Sequence, residues 1–333
     1  MAKPIYPSFK SLINSEAYYA HVPCNTLRSN KYYKPPRQPV HGHNKQRLNN
    51  DHAVDMQAIY WGYPLQVRMG RLLYALSSGL KIAYEDHGRG EPVLLFMPGW
   101  CDNRTQYRDL VPFCSSRSRC LVIDWPGHGE SDTPAADFGE KELVAAAISV
   151  IERSGARRIV TVSTAHAGWV AIELRRQLLE KNQKLVLLDW LVLEPPQPFL
   201  EALRGLQSRE HWEQVRESLF SMWLSGVVDD RILQHVRREM GSHGFEMWAR
   251  AGREISASYE RFGSPLKALS ELEPPPHVLH LFSLPKDEAY LRAQNEFAKN
   301  HQWFSVYRLD ANTHFPALED PKTVSAFIND FIS

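Results

Sequence analysis

No run of 18 or more apolar residues occurs in the 333-residue sequence, so no segment reads as a transmembrane helix. The N-terminus lacks the apolar stretch of a signal peptide, and the chain is expected to be cytoplasmic. Excess charge is missing as well. Thirty-nine Lys and Arg face 38 Asp and Glu, a net charge of +1, which leaves no field to recruit nucleic acid or an anionic membrane. Cysteine is scarce. Cys24, Cys101, Cys114 and Cys120 have no metal-ligand spacing, so no metal site is expected and the thiols read as reduced and mostly buried. One more absence is local. Arg158 to Thr164 reads as a buried strand, a helix is expected from about Val170, and the turn between them has Ala165 at its centre. A strand–turn–helix of this kind carries a serine nucleophile in many enzymes. A methyl group cannot attack a carbonyl, so acyl-enzyme chemistry is excluded there.

What is present is a regular alternation. Arg71–Leu76 and Lys81–Asp86 flank Ser77-Ser78-Gly79 as a hairpin. Val93–Met97, Cys120–Asp124, 158–164, Leu185–Leu188, Val278–Ser283 and Phe304–Leu309 read as strands. Between and after them come helical patterns at Glu140–Ser154, Val170–Glu180, 290–300 and Pro321–Ile332. The expected fold class is α/β, a doubly wound, mostly parallel sheet covered on both faces. Residues 195–272 break the alternation with helical patterns rich in aromatics and read as an inserted all-helical cap; the core is then 69–194 and 273–333. Residues 1–68 differ. The first 50 hold eight Lys and Arg against one acidic residue, with six prolines and poor periodicity. They read as an irregular basic arm, with a short helix near Asp51–Tyr60.

In open α/β sheets ligands bind beyond the carboxyl ends of the strands, so candidate chemistry is sought there. Pro98-Gly99-Trp100 follows one strand, and the N–H of Trp100 can supply half of an oxyanion-type donor pair. The N–H of His166, one residue past the elbow centre, supplies the other half. His314 follows the last strand and is the candidate base. Its carboxylate partner is Asp189 or Asp287. Asp189 ends an apolar run and is expected to be buried, and a buried carboxylate needs a hydrogen-bonded partner; Asp287 lies in a polar loop and reads as solvated. Asp189 is the preferred orienter of the imidazole. His128, in Trp125-Pro126-Gly127-His128-Gly129, reads as structural.

These residues together resemble one family. The stretches are Pro98-Gly99-Trp100-Cys101, Trp125-Pro126-Gly127-His128-Gly129, Val162-Ser163 with His166-Ala167-Gly168-Trp169, Leu188-Asp189-Trp190-Leu191, Phe220-Ser221-Met222-Trp223-Leu224, Gly263-Ser264-Pro265, Trp303-Phe304-Ser305 and Thr313-His314-Phe315-Pro316-Ala317. They are similar to the cofactor-independent 2,4-dioxygenases of 3-hydroxy-4-oxoquinolines and quinaldines, members of the α/β-hydrolase fold. The likeness runs from about Leu80 to the C-terminus. It implies that a His314–Asp189 dyad deprotonates the 3-hydroxyl of a small heteroaromatic substrate. The anion then reacts with O2 without metal or flavin, the ring opens, and carbon monoxide leaves. It also implies that Trp100, His166 and Trp223 line the substrate site. Three positions depart from the family pattern: Ala165 stands for a serine, Asp102 for a histidine, and Thr164 for a second histidine. Asp102 and Ala165 are therefore also expected at the substrate. An anionic Asp102 would repel a substrate oxyanion. The same dyad could run O2-independent base chemistry such as elimination, isomerisation or cyclisation. A non-catalytic binding protein on a hydrolase scaffold, or water-activating ester hydrolysis, are further readings.

Overall fold

A computed structural model describes residues 70–333. The expected basic arm of residues 1–68 and the helix near Asp51–Tyr60 lie outside the described residues.

The hairpin forms as expected: β1 (Arg71–Ser77) pairs antiparallel with β2 (Leu80–His87). Next come β3 (Val93–Met97), the short helix α1 (Val111–Ser115), β4 (Cys120–Ile123) and α2 (Glu140–Ser154). Strand β5 (Ile159–Thr164) leads into α3 (Ala167–Leu178), followed by β6 (Asn182–Leu188). Between β6 and β7 (His277–Phe282) lie five helices: α4 (Gln197–Leu206), α5 (Trp212–Trp223), α6 (Asp230–Arg238), α7 (Phe245–Phe262) and α8 (Pro265–Ser270). The chain closes with α9 (Glu288–Asn300), β8 (Phe304–Arg308), α10 (Pro316–Glu319) and α11 (Pro321–Ile332). The eight strands form one sheet in the order β1-β2-β4-β3-β5-β6-β7-β8. β2 pairs antiparallel with β4, and every pair from β4 across to β8 is parallel.

The apolar runs are unbroken because the central strands are buried on both sides. In β3, Val93, Leu95 and Met97 join one core cluster while Leu94 and Phe96 join the other, the period-two alternation of strand side chains. Strand β5 behaves likewise and is buried at all six positions. Two elements differ from the sequence reading. Helix α3 opens at Ala167, three residues earlier than expected, because the turn is tighter. Ala165 sits at φ 49°, and His166 is the residue before the helix. Helix α9 opens at Glu288 because Asp287 caps it, its carboxylate accepting the Ala289 N–H at 2.6 Å. Asp287 is thus a partly buried helix cap rather than a solvated loop residue.

The elbow depends on a close approach. A Cβ at Gly168, in the first turn of α3, would lie 2.1 Å from the Trp190 ring. The indole of Trp190 fills the space a side chain would need, and its Nε1–H reaches back to His166 Nδ1 at 3.3 Å. Gly168→Ala must displace that indole or α3, so it is expected to cost about 1–3 kcal/mol, the range of core overpacking. The denaturation midpoint in guanidinium chloride measures this; a variant within about 0.5 kcal/mol of the parent would contradict the packing described.

Candidate active site

The carboxyl ends of β3, β5 and β8 and the inner faces of the helices between β6 and β7 enclose one cavity. It has about 630 Å³ of atom-free space, part of it open to solvent. Trp100, Asp102, Ala165, His166, Trp223 and His314 all line it, so six of the seven expected site residues meet there. Asp189, the seventh, does not line it and lies behind His314. Most of the remaining wall is apolar: Phe199, Leu203 and Leu206 from α4, Leu219 from α5, and Trp248 and Ile255 from α7.

His314 is held in place from two sides. Trp223 stacks on its ring with centroids 5.0 Å apart and planes 15° apart, and Phe315 packs edge-on at 5.5 Å. On the other side Nδ1 lies 3.8 Å from Asp189 Oδ2. That is within ion-pair reach but longer than a hydrogen bond. Catalytic hydrogen bonds often tighten only when substrate is bound. Asp189 itself is firmly placed at φ 48° directly after β6. Its Oδ1 accepts the N–H groups of Ser283 at 2.9 Å and Leu284 at 3.0 Å.

Ser283 is one of the residues that the sequence reading missed. Its hydroxyl lies 2.7 Å from Asp189 Oδ2 and 2.6 Å from the carbonyl of Thr313, the residue before His314. One hydroxyl hydrogen serves two acceptors, so Ser283 couples the carboxylate to the loop that carries His314. Its position at the end of β7 was the available signal.

Burial pushes the His314 imidazole down to about 4, countered by the charge of Asp102. Burial pushes Asp189 up to about 7, opposed by its hydrogen bonds from Leu284 and Ser283. At neutral pH the imidazole is therefore a free base, the form that abstracts a proton.

The remaining polar groups are arranged around this base. The N–H groups of Trp100 and His166 are not spent on any backbone carbonyl among the described residues, which suits the donor pair expected of them. The His166 ring is neutral, pushed down to about 3 by burial and then by the nearby His314. Its Nδ1 accepts from Trp190, so Nε2 carries the hydrogen, and Phe199 stacks on the ring at 5.7 Å. Thr164 borders the cavity, but its hydroxyl is engaged within the fold: it lies 2.8 Å from the Tyr107 hydroxyl, which donates to the Met97 carbonyl. His128 is structural, as read. Its Nε2 accepts the Cys101 N–H at 3.1 Å, and Nδ1 is 2.9 Å from the Pro126 carbonyl. Asp102 is not left as a bare anion. His235, from α6, meets its Oδ1 at 2.8 Å with both side chains buried. A lone histidine in an amphipathic helix gave no sequence signal for that contact. Among the described residues no group of three or more His, Cys, Asp or Glu is placed to hold a metal, and no helix is long and apolar enough to cross a membrane.

The alpha/beta hydrolase family model matches residues 94–327. The 2-heptyl-3-hydroxy-4(1H)-quinolone dioxygenase of Mycobacteroides abscessus is 35% identical over 258 residues, covering 77% of this chain and 96% of that protein. This chain belongs to the 3-hydroxy-4-quinolone dioxygenase family of the alpha/beta hydrolase fold. A second family member, the 1H-3-hydroxy-4-oxoquinoline 2,4-dioxygenase of Pseudomonas putida, is 33% identical over 77% of this chain and 97% of its own length. The structure of an AqdC variant in complex with its substrate, solved for recognition and ring cleavage of the Pseudomonas quinolone signal, superposes with a TM-score of 0.76. It is 33% identical and covers 79% of this chain and 99% of that one. The resemblance read from the motifs and the fold class are both borne out. Close relatives within the family are named as dioxygenases, and that activity belongs to them.

The pH profile follows from the dyad. Above about 7 Asp189 is ionised and His314 is unprotonated. As pH falls through about 7 the carboxylate takes a proton and the imidazole loses its acceptor; toward 4 the imidazole is protonated and has no lone pair left to accept a proton. The steps belong to the pair as a whole. In kcat/KM, which reports the free enzyme, activity is expected to fall with acid in that range. A profile flat from pH 4 to 7, or rising toward acid, would contradict the assignment.

Proposed function

We propose that the protein is a cofactor-independent 2,4-dioxygenase of 2-alkyl-3-hydroxy-4-quinolones, with His314 as general base and Asp189 as its orienter. The observation that carries this reading is a partly buried, neutral imidazole beside a fully buried carboxylate, facing a cavity whose elbow offers only the Ala165 methyl. Base chemistry is supported there and covalent acylation is not.

The step written for His314 is transfer of the substrate's 3-hydroxyl proton to Nε2, since Nδ1 is the nitrogen toward Asp189. Imidazolium forms, and the nearby carboxylate stabilises it. The N–H groups of Trp100 and His166 suit the 4-oxygen, where negative charge is shared in the anion. Trp100 and Trp223 supply aromatic faces for a flat ring. The electron-rich anion reacts with O2. One oxygen atom of O2 ends on C2 and the other on C4 of the single ring-opened product, the C2–C3 and C3–C4 bonds break, and C3 leaves as carbon monoxide with the original 3-oxygen. Ala165 places a methyl where the family pattern has a serine, so this chain holds its substrate without that hydroxyl.

The alkyl specification comes from the wall. Leu203, Leu206, Leu219 and Ile255 give the cavity an aliphatic side, and two lines of support meet there, since the M. abscessus relative is named for a 2-heptyl substrate. The test is an oxygen electrode with parallel detection of carbon monoxide. Turnover of 2-heptyl-3-hydroxy-4-quinolone is expected to consume one O2 per carbon monoxide released. His314→Ala is expected to lower kcat by about 10²–10⁴-fold, the usual contribution of a positioned base. Shortening the alkyl chain is expected to lower kcat/KM by roughly fourfold per methylene, from about 0.8 kcal/mol per buried CH2. Turnover that proceeds equally without oxygen would move the protein to O2-independent base chemistry; a chain-length series with no trend would remove the alkyl assignment.

A further inference from the structure

Asp102 puts a carboxylate into a cavity where the proposed reaction builds a negative oxygen. Its two oxygens are treated differently. Oδ1 accepts from His235 Nε2 at 2.8 Å and from the Asn103 N–H at 2.7 Å. Oδ2 is equally buried and has no hydrogen-bond partner among the described residues. Gln106, 1% exposed and lining the same cavity, has a second buried side-chain oxygen without a partner. Buried polar atoms are nearly always paired, and an unpaired acceptor of this kind is costly. The surroundings also fix what Asp102 can do. A carboxylate only accepts, so Nε2 of His235 carries the hydrogen in their contact. Asn103, next in the chain, is tied by its Nδ2 to Glu239 Oε2 at 2.7 Å. Asp102 is therefore held by its neighbours on one oxygen and open on the other.

An empty acceptor in a ligand cavity is a demand for a donor. We propose that Asp102 is a specificity-determining residue whose free oxygen accepts a hydrogen bond from a substrate donor other than the hydroxyl that His314 deprotonates. The inference rests on the dioxygenase reading and deepens it. A 3-hydroxy-4-quinolone has two donors, the 3-hydroxyl and the ring N–H. With the hydroxyl assigned to His314, the ring N–H is left for Asp102. His235 makes this compatible with an anionic intermediate, because its N–H offsets the carboxylate charge on the opposite oxygen. The site then selects nitrogen heterocycles over their ring-oxygen analogues.

The test compares two ligands of one shape: a 2-alkyl-3-hydroxy-4-quinolone and the 2-alkyl-3-hydroxychromone in which a ring oxygen replaces the N–H. Binding is measured without oxygen by quenching of tryptophan fluorescence, since Trp100 and Trp223 line the cavity. Oxygen uptake is measured in parallel. Sites that pair a buried polar group with a substrate donor reject analogues lacking it by large factors. The parent protein is expected to prefer the quinolone by about 100-fold or more. In Asp102→Asn, which keeps the shape but replaces the free acceptor by an NH2, the preference is expected to fall below about tenfold, with the circular dichroism of the parent retained. Equal binding of the two ligands by the parent overturns the proposal without reference to any variant. So does a preference that survives in Asp102→Asn. Either result accompanied by oxygen uptake leaves the dioxygenase reading standing. A preference that collapses in Asp102→Asn without oxygen uptake supports the Asp102 assignment and removes the reaction. Binding of neither ligand overturns both.

Discussion

Partial burial of one imidazole governs this site. His314 lies under Trp223, next to a carboxylate that is itself buried, and the loss of solvent keeps its ring unprotonated near neutrality. Each neighbouring feature bears on that state. Three donors, two of them backbone amides, fix Asp189, and Ser283 links it to the His314 loop. Trp223 arrives from α5, so the surroundings of His314 are complete only when the helices between β6 and β7 are folded over the strand ends. The elbow supplies shape without reactivity. Ala165 keeps the left-handed conformation at φ 49°, a strain of about 1–3 kcal/mol for a residue with a side chain. The backbone donor of His166 survives the change of side chain.

The cavity is flanked by two histidine–carboxylate pairs of different character. In the first, the residues lie 3.8 Å apart and the histidine faces the cavity. In the second, Asp102 and His235 are in hydrogen-bond contact, and it is the carboxylate that faces the cavity. Phe315 joins them, packing edge-on to His314, Trp223 and His235. An imidazole and a carboxylate acceptor lining one cavity suit the proposed heterocycle, which gives up one proton and keeps another.

Much of this was legible in the sequence, for physical reasons that can be named. The unbroken apolar run at 93–97 and the β-branched stretch Ile159-Val160-Thr161-Val162 announce strands buried on both faces, and the turn residues after them mark the carboxyl ends at which open α/β sheets bind ligands. Asp189 stood out because a carboxylate ending an apolar run must find a partner. The backbone conformation hid other features. Nothing in the letters shows that Ala165 and Asp189 both take positive φ, or that α3 opens at Ala167. Contacts between distant segments were hidden too. Asp102 read as an uncompensated anion because its partner His235 lies 133 residues away, and Asp287 read as solvated because helix capping is decided by where the helix begins. Long-range pairing of single polar residues leaves no periodic trace in a sequence.

The most direct measurement of the central claim is the absorption spectrum of a bound 3-hydroxy-4-quinolone without oxygen, recorded at a pH where the free ligand is neutral. If His314 takes the hydroxyl proton, the parent protein yields the spectrum of the anion and His314→Ala yields that of the neutral ligand. A neutral ligand in the parent, or an anion that persists without the imidazole, would contradict it.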